Sequence, residues 1–417
     1  MRIIVLDGNE NQSVAVVRSL AAAGHEVIAG AESGWSKASW SRGAKASFVY
    51  PAPAKGVDLF LRRLVEEIKR TPGTLLLPMT ERTTLPVSAY REQIIEAGGK
   101  LVLPPHNIVL RAFDKRQTTS LAESLGLAVP QTALILTCGE AERFAAIGKF
   151  PVVLKPRSSE ELSNQGSVSS TGAPLYARDG REFMRAYEKM RGRSSALLAQ
   201  EYIAGMGVGY FALMHEGELR AEFAHRRIRD VRPTGSGSAV RESVECGERM
   251  RNAALGILKA LRWHGVAMVE FRQRADGTTV FLEVNGRFWN SLPLAIYAGV
   301  DFPALLVRMA ENGDVEMQTG YRTGIRCRWL LGDFRHLIEV WRGAPVGYPE
   351  AFPSRLRTLA DFLIPVAGTH HDNFQWADPL PELGDWLDFF TRRIPSQFKK
   401  KSSTVKEVHA QSRSSLS

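Results

Sequence analysis

The chain has 417 residues, 44% of them hydrophobic and 24% charged, which excludes a disordered polymer and supplies apolar surface for two or three packed units with clefts between them. A net charge of +10 raises the question of a nucleic-acid partner, but residues 392–417 alone carry +6 of it. The mildly basic remainder suits a protein that handles phosphates and carboxylates, so nucleic acid is set aside. Cys138, Cys246 and Cys327 are too scattered for a disulfide framework or a zinc site and fit a reduced, cytoplasmic setting.

The opening run MRIIVLD meets Asp7 too early for a secretion signal and is expected to form a first strand; no stretch has the length of a membrane span. Short apolar runs (IIVLD, HEVIAGA, TLLLPMT, KLVLP) alternate with amphipathic segments (SVAVVRSLAAAG, DLFLRRLVEEIKR, LPVSAYREQIIEAG) over residues 1–112. That rhythm predicts an α/β, doubly wound, mostly parallel sheet, whose ligands sit beyond the carboxyl ends of the strands. Asp7 to Ser13 and Thr80 to Arg82 fall there. The first loop, DGNENQS, lacks the glycine spacing of a dinucleotide site, and a plain strand-to-helix turn with Ser13 as N-cap is the alternative.

From Asp114 the pattern changes to two α+β subdomains, placed at 113–195 and 196–317. DKRQTTSLAESLG reads as a helix opened by Asp114; PVVLKP and SALLAQEYI read as strands. GYFALMHEGELRAEFAHRRIR reads as a hairpin turning at His215-Glu216-Gly217, and residues 247–262 as a helix. A second hairpin spans 265–288 with a turn at Asp276-Gly277. Residues 318–395 give only a helical and irregular C-terminal extension, and the Ser-rich basic tail 396–417 is expected to be disordered.

The second hairpin carries the sharpest inference. A two-residue turn at 276–277 sets Glu270 opposite Glu283. Facing carboxylates with Cβ atoms ~5 Å apart repel by roughly 3 kcal/mol at an effective dielectric of about 20, and apolar neighbours raise that cost. A divalent cation removes it, and strand alternation brings the Asn285 oxygen to the same face, giving Glu270, Glu283 and Asn285 as a candidate Mg²⁺ or Mn²⁺ set. Solvated glutamates, or one held protonated, are the alternative. Arg287 follows on that face, where a guanidinium braces a transferring phosphoryl group.

The set DK at 114–115, FPVVLKP at 150–156, QEYIAG at 200–205, VEF at 269–271 and LEVNGR at 282–287, in this order, resembles the ATP-grasp superfamily over roughly residues 1–315. Residues 1–112 would then be its Rossmann-like leading domain. His225-Arg226-Arg227 followed by Thr234-Gly235-Ser236-Gly237 looks like the carboxylate-amine or thiol ligase branch. The resemblance implies that Lys115 and Lys155 neutralise ATP phosphates, and that the backbone of Glu201, Tyr202 and Ile203 reads the adenine, with the rings and alkyl groups of the last two forming its pocket. It also implies that a Ser/Gly hairpin with Ser158, Ser159 and Gly166 closes over the phosphates, and it turns Arg226 and Arg241 toward anion recognition beside Arg287. The acidic residue that relatives place after the linker is replaced here by GMGVGY, so the ribose contact is unassigned.

These readings together imply an ATP- and Mg²⁺-dependent enzyme that activates a small-molecule carboxylate as an acyl phosphate for an amine, forming a C–N bond. A carboxylase or purine-pathway-type ligase shares the same nucleotide site. More remote are a nucleotide-binding oxidoreductase and a silent ATP-binding regulator; the first lacks its glycine fingerprint, the second would have lost a metal ligand or Arg287. Substrate identity and oligomeric state, a homodimer included, stay open.

Overall fold

A computed structural model describes residues 1–393 apart from 164, 165, 195, 236 and 365; the tail expected at 396–417 lies outside the described residues. Its first sheet contains β1 (Arg2–Val5), β2 (Glu26–Ala31), β3 (Ala46–Val49) and β4 (Leu75–Leu77), all parallel in the order β3-β2-β1-β4. Alternation explains why it is covered on both faces. Ile3, Val5, Val27 and Leu75 pack against the helix Asn11–Ala22, whereas Ile4, Ile28 and Leu76 pack against the helix Val57–Lys69. Nearly every one of these aliphatic side chains is fully buried, each contributing about 1.5–3 kcal/mol. The expected doubly wound sheet is present with two differences: ASFV supplies an unforeseen strand, and KLVLP contributes only a bridge from Lys100 to Leu75.

Six strands follow: β5 (Thr132–Ile135), β6 (Val152–Pro156), β7 (Glu160–Leu162), β8 (Val168–Ser170), β9 (Leu175–Ala177) and β10 (Leu197–Glu201). Four of them form an antiparallel sheet in the order β5-β10-β6-β9, and β7 and β8 make a separate hairpin. The boundary expected at 195/196 therefore falls too early, because β10 is the central partner of β5 and β6.

The third sheet contains β11 (Met206–His215), β12 (Glu218–Asp230), β13 (Ser238–Ser243), β14 (Gly265–Gln273), β15 (Thr279–Asn285), β16 (Arg326–Arg328) and β17 (His370–His371), in the order β15-β14-β11-β12-β13-β16-β17. β11 and β12 join through Glu216 and Gly217, both at positive φ (49° and 92°), as a two-residue hairpin turn requires. The segment after residue 318 is no appendage. β16 pairs with β13, β17 continues the sheet in parallel, and Trp329, Phe334, Trp386 and Phe389 close a core over Val231 and Ala239. Buried polar contacts tie this segment to the first domain: Arg18 to Asp378 at 2.9 Å, Lys37 to Asp385 at 3.0 Å and Asn11 to Asp372 at 3.3 Å.

Among the described residues no single helix is long and apolar enough to cross a membrane. The bent pair Leu292–Ala298 and Phe302–Asn312 comes nearest in length and composition, and its apolar side chains belong to the core under the third sheet.

Candidate active site

Two adjoining cavities meet at Glu283. The first, of about 300 Å³, lies between the second and third sheets; Lys155 of β6, Tyr176 of β9 and Glu201 of β10 face Arg227 of β12, Glu270 and Arg272 of β14 and Glu283 of β15 across it. The second, of about 560 Å³, lies between the third sheet and the carboxyl ends of β1 and β4 and contains Glu283, Asn285 and Arg287 on one side and Glu10, Gln12 and Glu81 on the other. The first lies at the lower bound of about 300 Å³ for small-molecule sites and the second above it. The loops at Asp7 and Thr80 thus line a cavity where an open α/β sheet is expected to hold its ligand.

Glu270 does pair with Glu283, but for a different reason from the turn. Three residues, Ala275 to Gly277, connect Arg274 to Thr278, with Gly277 at φ 84°. That loop pairs Phe271 with Phe281, one step away from a two-residue register. A bulge between Glu270 and Phe271 then absorbs Leu282 and restores the pairing of the glutamates, while Leu282 itself is turned into the first cavity.

The repulsion between the two carboxylates is answered by the protein's own cations. The Arg227 guanidinium lies 2.8 Å from Glu270, and the Lys115 ammonium lies 3.4 Å from Glu283. A metal is therefore not needed to make the pair tolerable, contrary to the expectation from sequence. Burial opposes ionisation of Glu283, but Lys115 and Lys155 outweigh it and hold its carboxyl well below the usual range. Burial likewise opposes the Lys115 charge, and Glu283 with Glu81 pushes its pKa up. Among the described residues Lys155 has no carboxylate at ion-pair distance, and burial brings it down to about 8. Asn285 donates to Glu283 at 3.3 Å and accepts from Arg287 at 3.1 Å, so the amide orients both. Two carboxyl groups and an amide oxygen on one strand pair are hard donors of the kind Mg²⁺ takes while sharing its remaining positions with phosphate, so these residues fit that ion.

Lys115 is positioned from its own helix start. Asp114 caps the helix Lys115–Ser124 by accepting from the amides of Arg116 and Gln117, and the same carboxylate binds the Arg157 guanidinium. The amide of Lys115 donates to the Arg157 carbonyl at 3.0 Å, which fastens the helix to the end of β6, and its ammonium reaches Ser159 at 3.0 Å. Ser158 and Ser159 line the first cavity. Gly166 does not. Its carbonyl accepts from the Val57 amide at 2.8 Å, and Val168 is buried in the first domain's core, so the β7–β8 hairpin leans on that domain.

Glu201, Tyr202 and Ile203 border the first cavity. The amides of Glu201 and Tyr202 are bound to the carbonyls of Gln131 (2.8 Å) and Pro151 (3.0 Å). Tyr202 joins an edge-to-face trio with Tyr176 and Tyr348, the last supplied by the C-terminal segment.

Two arginines lie elsewhere than expected. Arg241 is fully buried in an ion pair with Asp372 beside Cys327, outside both cavities, where it ties β13 to the segment after β17. Arg226 forms a two-point contact with Glu242 at 2.9 and 2.6 Å on the opposite face of β12. Its neighbour Arg227 is the one that enters the cavity. The register shows why: Gly209 pairs with both His225 and Glu270, so odd positions of this part of β12 share the face of Glu270. Gly207, next along β11, has no side chain to obstruct Arg227; a Cβ there would lie 2.8 Å from its Cδ. Alternation carried across β11 would have selected Arg227 from the sequence. Ser236, between Gly235 and Gly237 at the cavity edge, lies outside the described residues.

The three-sheet arrangement, with a cation-lined cavity between the second and third sheets, is the ATP-grasp fold. Within it, residues 193–332 match the family model described as ATP-grasp in the biosynthetic pathway with Ter operon. Among solved structures, the chain is similar to the biotin carboxylase domain of 2-oxoglutarate carboxylase from Hydrogenobacter thermophilus (17% identity, 78% of this chain and 73% of that one, TM-score 0.60). It is also similar to an L-amino acid ligase from Bacillus licheniformis (16%, 74% and 73%, 0.56) and to N5-carboxyaminoimidazole synthetase from Staphylococcus aureus (12%, 78% and 80%, 0.59). These likenesses are of fold. Among curated proteins, the carbamoyl phosphate synthase large chain of Methanospirillum hungatei is 26% identical over 238 residues, which is 54% of this chain and only 22% of that protein's length.

Proposed function

We propose that this chain is an ATP- and Mg²⁺-dependent ligase that activates a small-molecule carboxylate as an acyl phosphate and joins it to an amine. The observation that carries the reading is the first cavity: Lys115, Lys155, Arg227 and Arg272 stand on its walls around the facing pair Glu270 and Glu283. Cations on two sheets enclosing two fixed carboxylates match a polyphosphate with its metal better than any neutral ligand. Relatives named as an amino acid ligase, a carboxyaminoimidazole synthetase and a carbamoyl phosphate synthase support the reading by their names.

In the proposed reaction the substrate carboxylate oxygen attacks the γ-phosphorus, the bond from that phosphorus to the bridging oxygen breaks, and ADP leaves. The amine nitrogen then attacks the acyl carbon, phosphate departs with its oxygen, and the nitrogen loses a proton. Lys115 and Lys155 bind the phosphates, with Ser158 and Ser159 beside them. The apolar surface of Leu282, Tyr202 and Ile203 receives the base, and Arg287 faces the acyl phosphate from the second cavity. Mg²⁺ held by Glu270, Glu283 and Asn285 would offset the charge gathering on the phosphate oxygens.

The test is ADP release against panels of carboxylates and amines, with bicarbonate alone as the arm for a carboxylase. Glu283→Gln is expected to lower turnover at least a hundredfold with the fold intact. Undiminished ADP production by that variant would sink the assignment.

A further inference from the structure

We infer that the second cavity recognises its substrate as a cation, through acceptor oxygens on the two loops of the first domain that carry Gln12 and Glu81, so that the substrate bound there bears a primary ammonium group. The inference rests on the ligase reading and names a recognition group of the substrate that the second cavity holds.

Charge separates the two cavities. The first cavity is rich in cations, whereas the second is lined by Asp7, Glu10, Glu32, Glu81, Glu160 and Glu283 against only Arg82 and Arg287. Arg82 is largely consumed, lying 3.5 Å from Glu32 and 3.3 Å from Glu160. A carboxylate or phosphate placed against the first domain would meet like charge on most sides.

Unmet hydrogen-bond acceptors point the same way. Gln12 Oε1, Glu81 Oε2, Glu160 Oε2 and Asn290 Oδ1, all on residues that line this cavity, are buried oxygens to which no described group donates. Gln12 and Glu81 are 3% and 8% exposed, too enclosed for bulk water to serve both freely. The Gln12 amide orientation is fixed, because its Nε2 donates to the Met79 carbonyl at 3.2 Å, which leaves the oxygen as the free end. The Gln12 and Asn290 amide oxygens can only accept, so an acceptor-rich ligand would leave them unmet; burial raises the pKa of Glu81 and Glu160, and Thr80 Oγ1, also unpartnered in this cavity, can donate as well as accept. An ammonium group brings three donors and a positive charge.

The opposite wall supplies the complement. Arg287 contacts Asn285 and the Phe288 carbonyl, and no carboxylate among the described residues lies within ion-pair distance of its guanidinium. A ligand bridging the two walls therefore sets its cationic end on the first domain and turns its other end toward Arg287 and Glu283, where the two cavities join.

The experiment titrates the full chain, with Mg²⁺ and ADP present, with glycinamide and 1,4-diaminobutane, each against its N-acetylated counterpart. The expected result is at least tenfold tighter binding of the cationic forms. A tenfold loss of that affinity is expected in Glu81→Gln and in Glu10→Gln, with Mg²⁺·ADP affinity held within twofold. Equal or tighter binding of the acetylated compounds to the unaltered protein would overturn the inference, and that comparison needs no variant to fold. So would unchanged amine affinity in both variants. Failure to bind Mg²⁺·ADP together with a retained preference for the cations would instead refute the ligase reading and leave the cation site standing.

Discussion

Replacing Arg227 by glutamine tests whether protein cations, and not a metal, hold the carboxylate pair together in the ligand-free chain. The guanidinium lies 2.8 Å from Glu270 and 3.6 Å from Asp230, and its side chain is 9% exposed. Burial works against its charge, but Glu270 and Asp230 push its pKa up. Removing one member of a buried pair typically costs about 3–5 kcal/mol, because the partner is left charged and desolvated. The opposed Glu283 adds repulsion of roughly 3 kcal/mol at ~5 Å and an effective dielectric of 20, of which Lys115 and Lys155 cancel part. Arg227→Gln is therefore expected to destabilise the chain by about 3 kcal/mol in denaturant titrations without metal or nucleotide. Most of that loss should return in Arg227→Gln/Glu270→Gln, which removes the stranded charge. Strict additivity of the two substitutions would show that Arg227 does not compensate Glu270, and the electrostatic account of the site would be wrong.

Two other changes follow from the same geometry. Gly286→Ala would set a Cβ 2.2 Å from the Trp263 ring, which is fully buried and pinned through its Nε1 to the Val266 carbonyl at 3.1 Å. A cost of about 1–3 kcal/mol is expected from overpacking, together with at least tenfold weaker Mg²⁺·ADP binding by calorimetry, since Asn285 and Arg287 flank the residue; unchanged affinity would mean that the strand end tolerates the shift. Glu382, in the C-terminal segment, has its pKa raised to about 7 by burial and by Asp385. Its folded value lies above its unfolded one, so its contribution to stability is complete below about pH 4.5 and is lost as pH rises to 7, by up to about 3 kcal/mol. Glu382→Gln should then raise the melting temperature at pH 8 and leave it nearly unchanged at pH 5; a shift of equal size at both values would contradict this assignment.

The parallel sheet was legible because its strands are continuous apolar runs separated by amphipathic helices, a pattern that needs no tertiary information. β3 escaped because Ala46–Val49 is largely exposed at the sheet edge and lacks such a run. β16 and β17 escaped for a related reason. They are three and two residues long, and a strand that short acquires its conformation from the neighbour it pairs with. Without them the segment after residue 318 reads as an appendage, although it completes a sheet and a core. The error at Arg241 has the same source. Nothing local distinguishes an arginine awaiting an anion from one whose partner, Asp372, lies 131 residues away.

The facing glutamates were found through a turn whose length was misjudged by one residue, and the pairing survives because a bulge at Leu282 compensates. Two hairpins with the same sequence around the turn, one with the bulge and one without, would place Glu283 on opposite faces of the sheet, since a shift of one residue inverts the pleat. The bulge is thus what commits this strand to the site. It sets Glu283, Asn285 and Arg287 on the face shared with Arg227, and it turns Leu282 into the first cavity instead of the pleat. Because Arg227 and Lys115 already balance the carboxylates, a metal held as proposed by Glu270 and Glu283 would have to compete with those cations for the same oxygens. On the proposed reading a phosphate-bearing ligand would change that competition, since it would give Lys115 and Arg227 other anions to face and free Glu270 and Glu283 at the same moment. Metal and nucleotide should for that reason bind cooperatively, each weakly without the other.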